Sequence, residues 1–297
     1  LAEALRAKGE QFDDIVKSGR THLQDAVPVT LGQEFGGYAA AITHAAADVE
    51  SRGEPLSRLG IGGSAAGTGL NTLPGYRSQI VRRLSQQTGL DLSAAENRFE
   101  AMQSMAPFVR FSGAMKAAAI ELSRISNDLR LLSSGPTTGL GEIRLPAVQP
   151  GSSIMPGKIN PVVAECTNMI SFQIMGNHTC ISHAAAAGQM ALNVMMPIIN
   201  YNILWSMQIL TNGCRMLREK CIAGIEANPD TCRSYLNSTI GLATVLNPVI
   251  GYHAAAEVAE EAAESGRSIR DVVLEKEILS EEEFDELVDE SVRPPED

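Results

Sequence analysis

Eleven consecutive residues, Gly151-Ser152-Ser153-Ile154-Met155-Pro156-Gly157-Lys158-Ile159-Asn160-Pro161, set two hydroxyls, one amine and one carboxamide among glycine and proline breakers. Proline lacks a backbone donor, so these residues, with Pro146 and Pro150 upstream, cannot form helix or central strand. Gly151 and Gly157 let backbone N–H groups turn toward an anion. The stretch reads as a mobile, anion-facing loop; the plain alternative is a solvated connector. A second segment, Gly19 to Pro28, places His22 beside Thr21. Histidine is the side chain most able to take both protonation states near neutral pH. Beside a hydroxyl it can hydrogen-bond a substrate carboxylate and a leaving group, although alone it would read as structural or merely exposed. Glu165 follows seven residues after Lys158, at the start of the next predicted helix, where the helix dipole favours a carboxylate. A third segment, Leu59 to Asn71, is rich in glycine and invites comparison with a phosphate cradle. Such a cradle needs a preceding strand and a following Lys-Ser/Thr or acidic ribose contact, and the sequence offers neither.

Helical signals dominate the elements that must position these residues, and there is no convincing strand-and-turn series. Residues 1–17 read as a helix end closed by Ser18-Gly19, Pro28 and Gly32 bracket a loop, and helix resumes from Leu31 to Val49. Phe108, Phe111, Met115, Ala118, Leu122, Ile125, Leu129 and Leu132 then alternate spacings of three and four. That heptad seam predicts a long helix buried against partners in a bundle, ended by Gly135-Pro136. A second long helix is expected from Val162 toward His183. A third is expected from Pro197, with Ile199, Ile203, Met207, Leu210, Cys214, Leu217 and Cys221 on one face. After Gly224 the composition shifts to short helices with an acidic end. The expected domains are 1–222, a helical bundle, and 223–297, a small helical domain whose Pro294-Pro295 tail is disordered.

The 297 residues, 44% hydrophobic and 20% charged, suffice for one large domain or two ordinary ones. No apolar run is long enough for a membrane helix. The net charge of −11 argues against nucleic acid or an anionic membrane as partner, so any anionic substrate must be captured by local positive groups. Cys166, Cys180, Cys214, Cys221 and Cys232 stand singly, without metal-ligand spacing, and read as reduced thiols of a cytoplasmic protein. The start lacks the order of a signal peptide.

These motifs together resemble the fumarase/aspartase superfamily, whose members eliminate water, ammonia or a larger amine to leave fumarate. Gly151 to Pro161 resembles the signature loop of that superfamily, and Gly157 and Ile159 point to its fumarase and aspartase branch. Gly19 to Ala26 resembles a second family segment at every position, and Gly67 to Asn71 a third. The resemblance implies an all-α, long-helix bundle with a small C-terminal helical domain, assembled as a homotetramer. It implies that Ser152 is the catalytic base, acting as an alkoxide supported by loop N–H groups and Lys158. Lys158 and Asn160 would hold one substrate carboxylate, with Thr21 and His22 at the same end. Ser153 would support the other carboxylate. In fumarases a glutamate matching Glu165 pairs with the histidine matching His22. In relatives the segment matching His22 reaches the pocket from a different subunit. No metal or organic cofactor is needed for a dicarboxylate substrate.

The branch residues divide. Gly62-Gly63-Ser64 and Asn97-Arg98-Phe99-Glu100-Ala101 resemble fumarases, whereas Pro161 to Glu165, Gly188 to Pro197 and Leu131 to Pro136 resemble aspartases. The reading favours aspartate ammonia-lyase, with fumarate hydratase as the alternative. A non-catalytic structural bundle is the alternative of another class, against which the intact Ser152, Lys158, Asn160 and His22 set argues. Family members carry a further N-terminal region that binds the second carboxylate, and nothing here matches it. The chain is therefore expected to be a fragment or processed piece with little or no activity alone.

Overall fold

The computed structural model describes residues 1–293, so the expectation for Pro294 and Pro295 lies outside the described residues. The fold is all-α, a helical bundle, with eleven helices among the described residues and strands confined to short pairs. The chain divides into two compact units. One comprises Leu1–Ala40, Leu129–Pro161 and the chain from Glu219 onward; the other comprises Ala41–Asp128 and Val162–Arg218.

The first unit opens with α1 (Ala2–Gln11), followed by β1 (Val16–Thr21) and β2 (Gln24–Thr30), an antiparallel hairpin. This corrects the helix end and loop expected over residues 1–32. Val16, Val27, Val29 and the two threonines Thr21 and Thr30 favour a pleated, half-buried ribbon. Pro28 is tolerated because a two-stranded ribbon has only edge strands. Its partner Ser18 borders a bulge at Gly19, where an added Cβ would sit 2.7 Å from the Val27 carbonyl oxygen. Thr30 and Gln33 then form a reciprocal cap, Gln33 N to Thr30 Oγ1 at 2.9 Å and Thr30 N to Gln33 Oε1 at 3.0 Å. Such a box starts a helix, here α2 (Leu31–Gly53). Phe12 meets Phe35 edge-on at 5.4 Å between ring centroids, which fixes α1 against the start of α2.

The second unit takes the rest of α2, then β3 (Arg58–Leu59), α3 (Tyr76–Thr88), β4 (Ser93–Ala94) and α4 (Arg98–Gln103). β3 and β4 pair in parallel. A strand of two residues therefore does precede the glycine-rich segment, although residues 59–71 contain no lysine. The long helices are α5 (Ala106–Leu132), α6 (Val162–Ala186) and α7 (Met196–Lys220). The heptad seam of α5 is buried from Phe111 through Leu132, as its spacing predicts. The stripe of α7 matches the expectation except at Met207, with Cys221 buried just past the helix end and Leu210 and Cys214 half-buried. Ile199, Ile203 and Leu217 are buried, whereas Met207 is 42% exposed, and Asn202, Ser206 and Gly213 take the inward positions. Helix α6 likewise buries Thr167, Asn168, Ser171 and Asn177, with hydrogen bonds from Asn168 Nδ2 to Ser123 Oγ at 2.8 Å and from Asn177 Nδ2 to Ser206 Oγ at 2.9 Å.

The remainder of the first unit comprises β5 (Ile143–Arg144) paired with β6 (Glu226–Ala227), then α8 (Pro229–Ser238), α9 (Asn247–Ser265), α10 (Ile269–Glu275) and α11 (Glu281–Ser291). Capping boxes at Ser268/Asp271 and Ser280/Glu283 start the last two helices. Leu236, Leu246, Val258, Val272 and Phe284 are among the residues of its apolar core, against which Val16 of β1 packs.

Candidate active site

The loop from Gly151 to Pro161 is closed on itself. Asn160 Nδ2 donates to the Gly151 carbonyl at 2.8 Å, and a Cβ at Gly151 would collide with the Lys158 carbonyl group, whose carbon lies 2.6 Å away. Only glycine fits there. Gly157 turns the chain at φ 80°, a conformation open to glycine at no steric cost. Inside this ring Ser152 Oγ accepts the Ile154 N–H at 3.1 Å and the Met155 N–H at 3.2 Å. Ser152 and Asn160 are half-buried, whereas Ser153 and Lys158 are exposed. Ile154 is 86% exposed, so the loop presents apolar side chains as well as polar ones. Val162 then begins α6, with Glu165 in its first turn.

Thr21 and His22 stand at the tip of the β1–β2 hairpin, where Thr21 pairs with Gln24 across a two-residue turn. Both turn residues have positive φ, His22 at 56° and Leu23 at 59°. That geometry belongs to the turn with left-handed residues at both central positions, which matches the twist of a hairpin but normally recruits Asn-Gly.

Beneath the tip lies a buried charge cluster that sequence reasoning missed. Lys17 Nζ is 2.9 Å from Glu34 Oε1 and 3.0 Å from Glu142 Oε2, and Arg20 Nη1 is 2.8 Å from Glu142 Oε1. The Lys17–Glu142 approach is an ion pair out of hydrogen-bond alignment, since Glu142 Oε2 has no aligned donor. Arg20 also lies 5.4 Å from the Tyr235 ring centre. Burial pushes the Glu34 carboxyl above its ordinary range, with Lys17 pulling the other way. Burial, with the Glu142 charge adding to it, pushes the Cys232 thiol up to about 12. Lys17 and Arg20 are separated from Glu142 by more than a hundred residues, and no local pattern could have signalled the pairing.

The structure therefore gathers Ser152, Ser153, Lys158 and Asn160 in one loop, and Thr21 and His22 on one turn. No hydrogen bond or ion pair among the described residues joins the loop to the turn. Among the described residues there is no group of three or more His, Cys, Asp or Glu side chains that could hold a metal ion, and no helix long and apolar enough to cross a membrane.

Comparison with known proteins adds an independent line. A family model described as lyase matches residues 1–176, and one described as the fumarase C C-terminus matches residues 242–291. The chain is 48% identical over 295 residues to the aspartate ammonia-lyase of Pseudomonas canavaninivorans, covering 99% of this chain and 61% of that protein. Among solved structures it is similar to the fumarate lyase:delta crystallin of Brucella melitensis, with a TM-score of 0.94 and 46% identity over 99% of this chain and 64% of that one. It is also similar to the class II fumarase of Schistosoma mansoni, with a TM-score of 0.90 and 37% identity over 99% of this chain and 65% of that one. The chain thus spans less than two thirds of the length of each of these three proteins.

Proposed function

The chain belongs to the fumarase/aspartase superfamily of lyases, and from that premise we propose that the complete protein is an aspartate ammonia-lyase, converting L-aspartate to fumarate and ammonia. One observation carries the chemistry, the convergence of the Ile154 and Met155 N–H groups on Ser152 Oγ. Donors aimed at a hydroxyl oxygen favour its anion, and serine becomes a useful base only with such help. Ser152 takes a proton from the carbon beside one substrate carboxylate. The electron pair moves into that carboxylate as a doubly negative aci form, then returns to make the carbon–carbon double bond as the carbon–nitrogen bond breaks and ammonia leaves. Stabilising the extra charge is the main electrostatic task, and Lys158 and Asn160 carry it. Thr21 and His22 act at the same end of the substrate, Glu165 pairs with His22, and Ser153 supports the other carboxylate. No metal or organic cofactor takes part.

These residues meet through assembly as a homotetramer, each pocket drawing on several subunits. The apolar side chains left outward on the second unit support that reading: Met169 and Phe172 on α6, and Tyr201, Leu204 and Trp205 on α7. Patches of this kind on helices mark protein contacts. We place the enzyme in the cytoplasm, a reading supported by five cysteines that are all free thiols.

Fumarate absorbance, followed with L-aspartate and separately with L-malate on the complete protein, tests the assignment. Fumarate from aspartate and not from malate is the expected result. Fumarate from malate alone would make the protein a fumarate hydratase, the second reading, which the similarity to a class II fumarase favours. Reaction with neither substrate would overturn both.

A further inference from the structure

The turn that carries His22 is strained, although the Thr21–Gln24 pair closes it. His22 and Leu23 both occupy the left-handed region, which disfavours L side chains, and neither is glycine or asparagine. A two-stranded ribbon is at best marginally stable, so the orientation of its tip must be imposed from its base. Lys17, 1% exposed, lies near the base of β1, and Arg20 lies next to the tip as the residue before Thr21. Both cations converge on Glu142, which is fully buried. Glu142 is itself fixed from a third direction, because its carbonyl accepts the Asn228 N–H at 2.8 Å. It also immediately precedes β5, ten residues before Ser152 in the chain.

A buried ion-pair cluster is a weak source of net stability, since desolvation consumes most of the Coulomb gain. Apolar side chains of similar volume would fill the same space as well. What charges add is direction where the bond is aligned: Arg20 Nη1 donates to Glu142 Oε1 at 2.8 Å, while Lys17 donates to Glu34 and meets Glu142 Oε2 by charge alone. The cluster is balanced, with Lys17 and Arg20 facing Glu34 and Glu142.

We propose that Glu142 is a positioning residue of the lyase site, the buried carboxylate that fixes the β1–β2 hairpin and so sets the direction in which Thr21 and His22 are presented. The proposal rests on the reading of Thr21 and His22 as substrate-contacting groups. Glu142 touches no substrate and acts through Arg20 and Lys17.

Three variants of the complete protein test it. Glu142→Asp keeps the charge but shortens the reach by one methylene, so Arg20 and Lys17 cannot both be met. Glu142→Gln removes the charge, and Lys17→Met with Glu142→Gln removes one charge of each sign, which spares the fold an unpaired buried lysine. A misplacement of about 1 Å costs on the order of 10²-fold in rate. Glu142→Asp should therefore lose about tenfold in kcat and the two neutralised forms about 10²-fold. KM should move less than about threefold, because Lys158 and Asn160 are untouched. Recovery of kcat in the Asp form relative to the Gln form is part of the expectation. Amide hydrogen exchange over residues 16–30, read by mass spectrometry without substrate, should quicken at Thr21–Gln24 in every variant that folds. Wild-type kcat in any folded variant, or unchanged exchange at the tip in Glu142→Asp, would overturn the proposal. An inactive wild-type protein would instead sink the lyase reading, and the exchange measurement would still decide the role of Glu142.

Discussion

Replacing Ser152 with alanine in the complete protein removes the oxygen on which the Ile154 and Met155 N–H groups converge, at 3.1 and 3.2 Å. Each hydrogen bond to a charged oxygen contributes about 1.5–3 kcal/mol, so the pair supplies roughly 3–6 kcal/mol toward holding an alkoxide. A general base is worth on the order of 10²–10⁴ in rate, equal to about 2.7–5.4 kcal/mol of barrier. The loop donors therefore lower the cost of forming an alkoxide at this serine. Ser152→Ala should lower kcat for fumarate formation by at least about 10²-fold. Substrate affinity should change far less, since Lys158 and Asn160 remain. Thermal unfolding should barely move, because Ser152 is only half-buried in a loop. The assay is fumarate absorbance at saturating aspartate, with affinity measured separately in single-turnover experiments. A variant within about threefold of wild-type kcat would remove Ser152 from the role and move suspicion to His22, since a base cannot be lost so cheaply.

Three further outcomes follow from particular side chains. Phe172→Asp puts a charge where a 59%-exposed ring now lies on α6, and sedimentation should report smaller species with activity lost in parallel; an intact, active tetramer would refute the interface. Ile125→Ala, at a fully buried position of the α5 seam, should cost about 2–5 kcal/mol in denaturant unfolding; a loss below about 1 kcal/mol would contradict the packing described for that helix. Cys221 and Cys232 have their thiols pushed up to about 12 by burial, so in the native protein they should resist a thiolate-directed reagent near neutral pH. Because the folded thiols hold protons that the unfolded chain releases, their contribution to stability is complete below an unfolded value of 9.0 and is lost as pH rises toward about 12. Alkaline melting curves together with reagent titration check both statements.

What the sequence disclosed depended on how local the cause was. The α5 seam was legible because burial of one helix face imposes spacings of three and four on adjacent turns. The Ser152 loop was legible because its breakers and polar groups lie within eleven residues. The hairpin was not, because His22-Leu23 lacks the Asn-Gly chemistry that normally advertises a tight turn, and a proline lies within its second strand. The α7 stripe was misjudged at Met207 because Asn202 and Ser206 find hydrogen-bond partners inside, Asn202 at the Ile198 carbonyl and Ser206 at Asn177. Polarity then ceases to predict exposure. The Lys17, Arg20 and Glu142 cluster joins segments that only the folded chain brings together.

The amides buried within the second unit also limit how it can move. Asn168 is pegged to Ser123 on α5, and Asn177 is pegged to Ser206 on α7. An apolar seam tolerates a slip of one helical turn, about 5.4 Å, by exchanging one leucine-sized knob for the next. A pegged seam does not, since each amide left without a partner costs about 1–3 kcal/mol. Sliding α6 past both neighbours would strand both pegs and forfeit roughly 2–6 kcal/mol before any new contact formed. Within that unit the long helices consequently have one discrete register and move as a block. The α6–α7 connection is pegged as well, since buried Asn193 donates from Nδ2 to the Ala184 and Ala185 carbonyls at 3.2 and 3.1 Å.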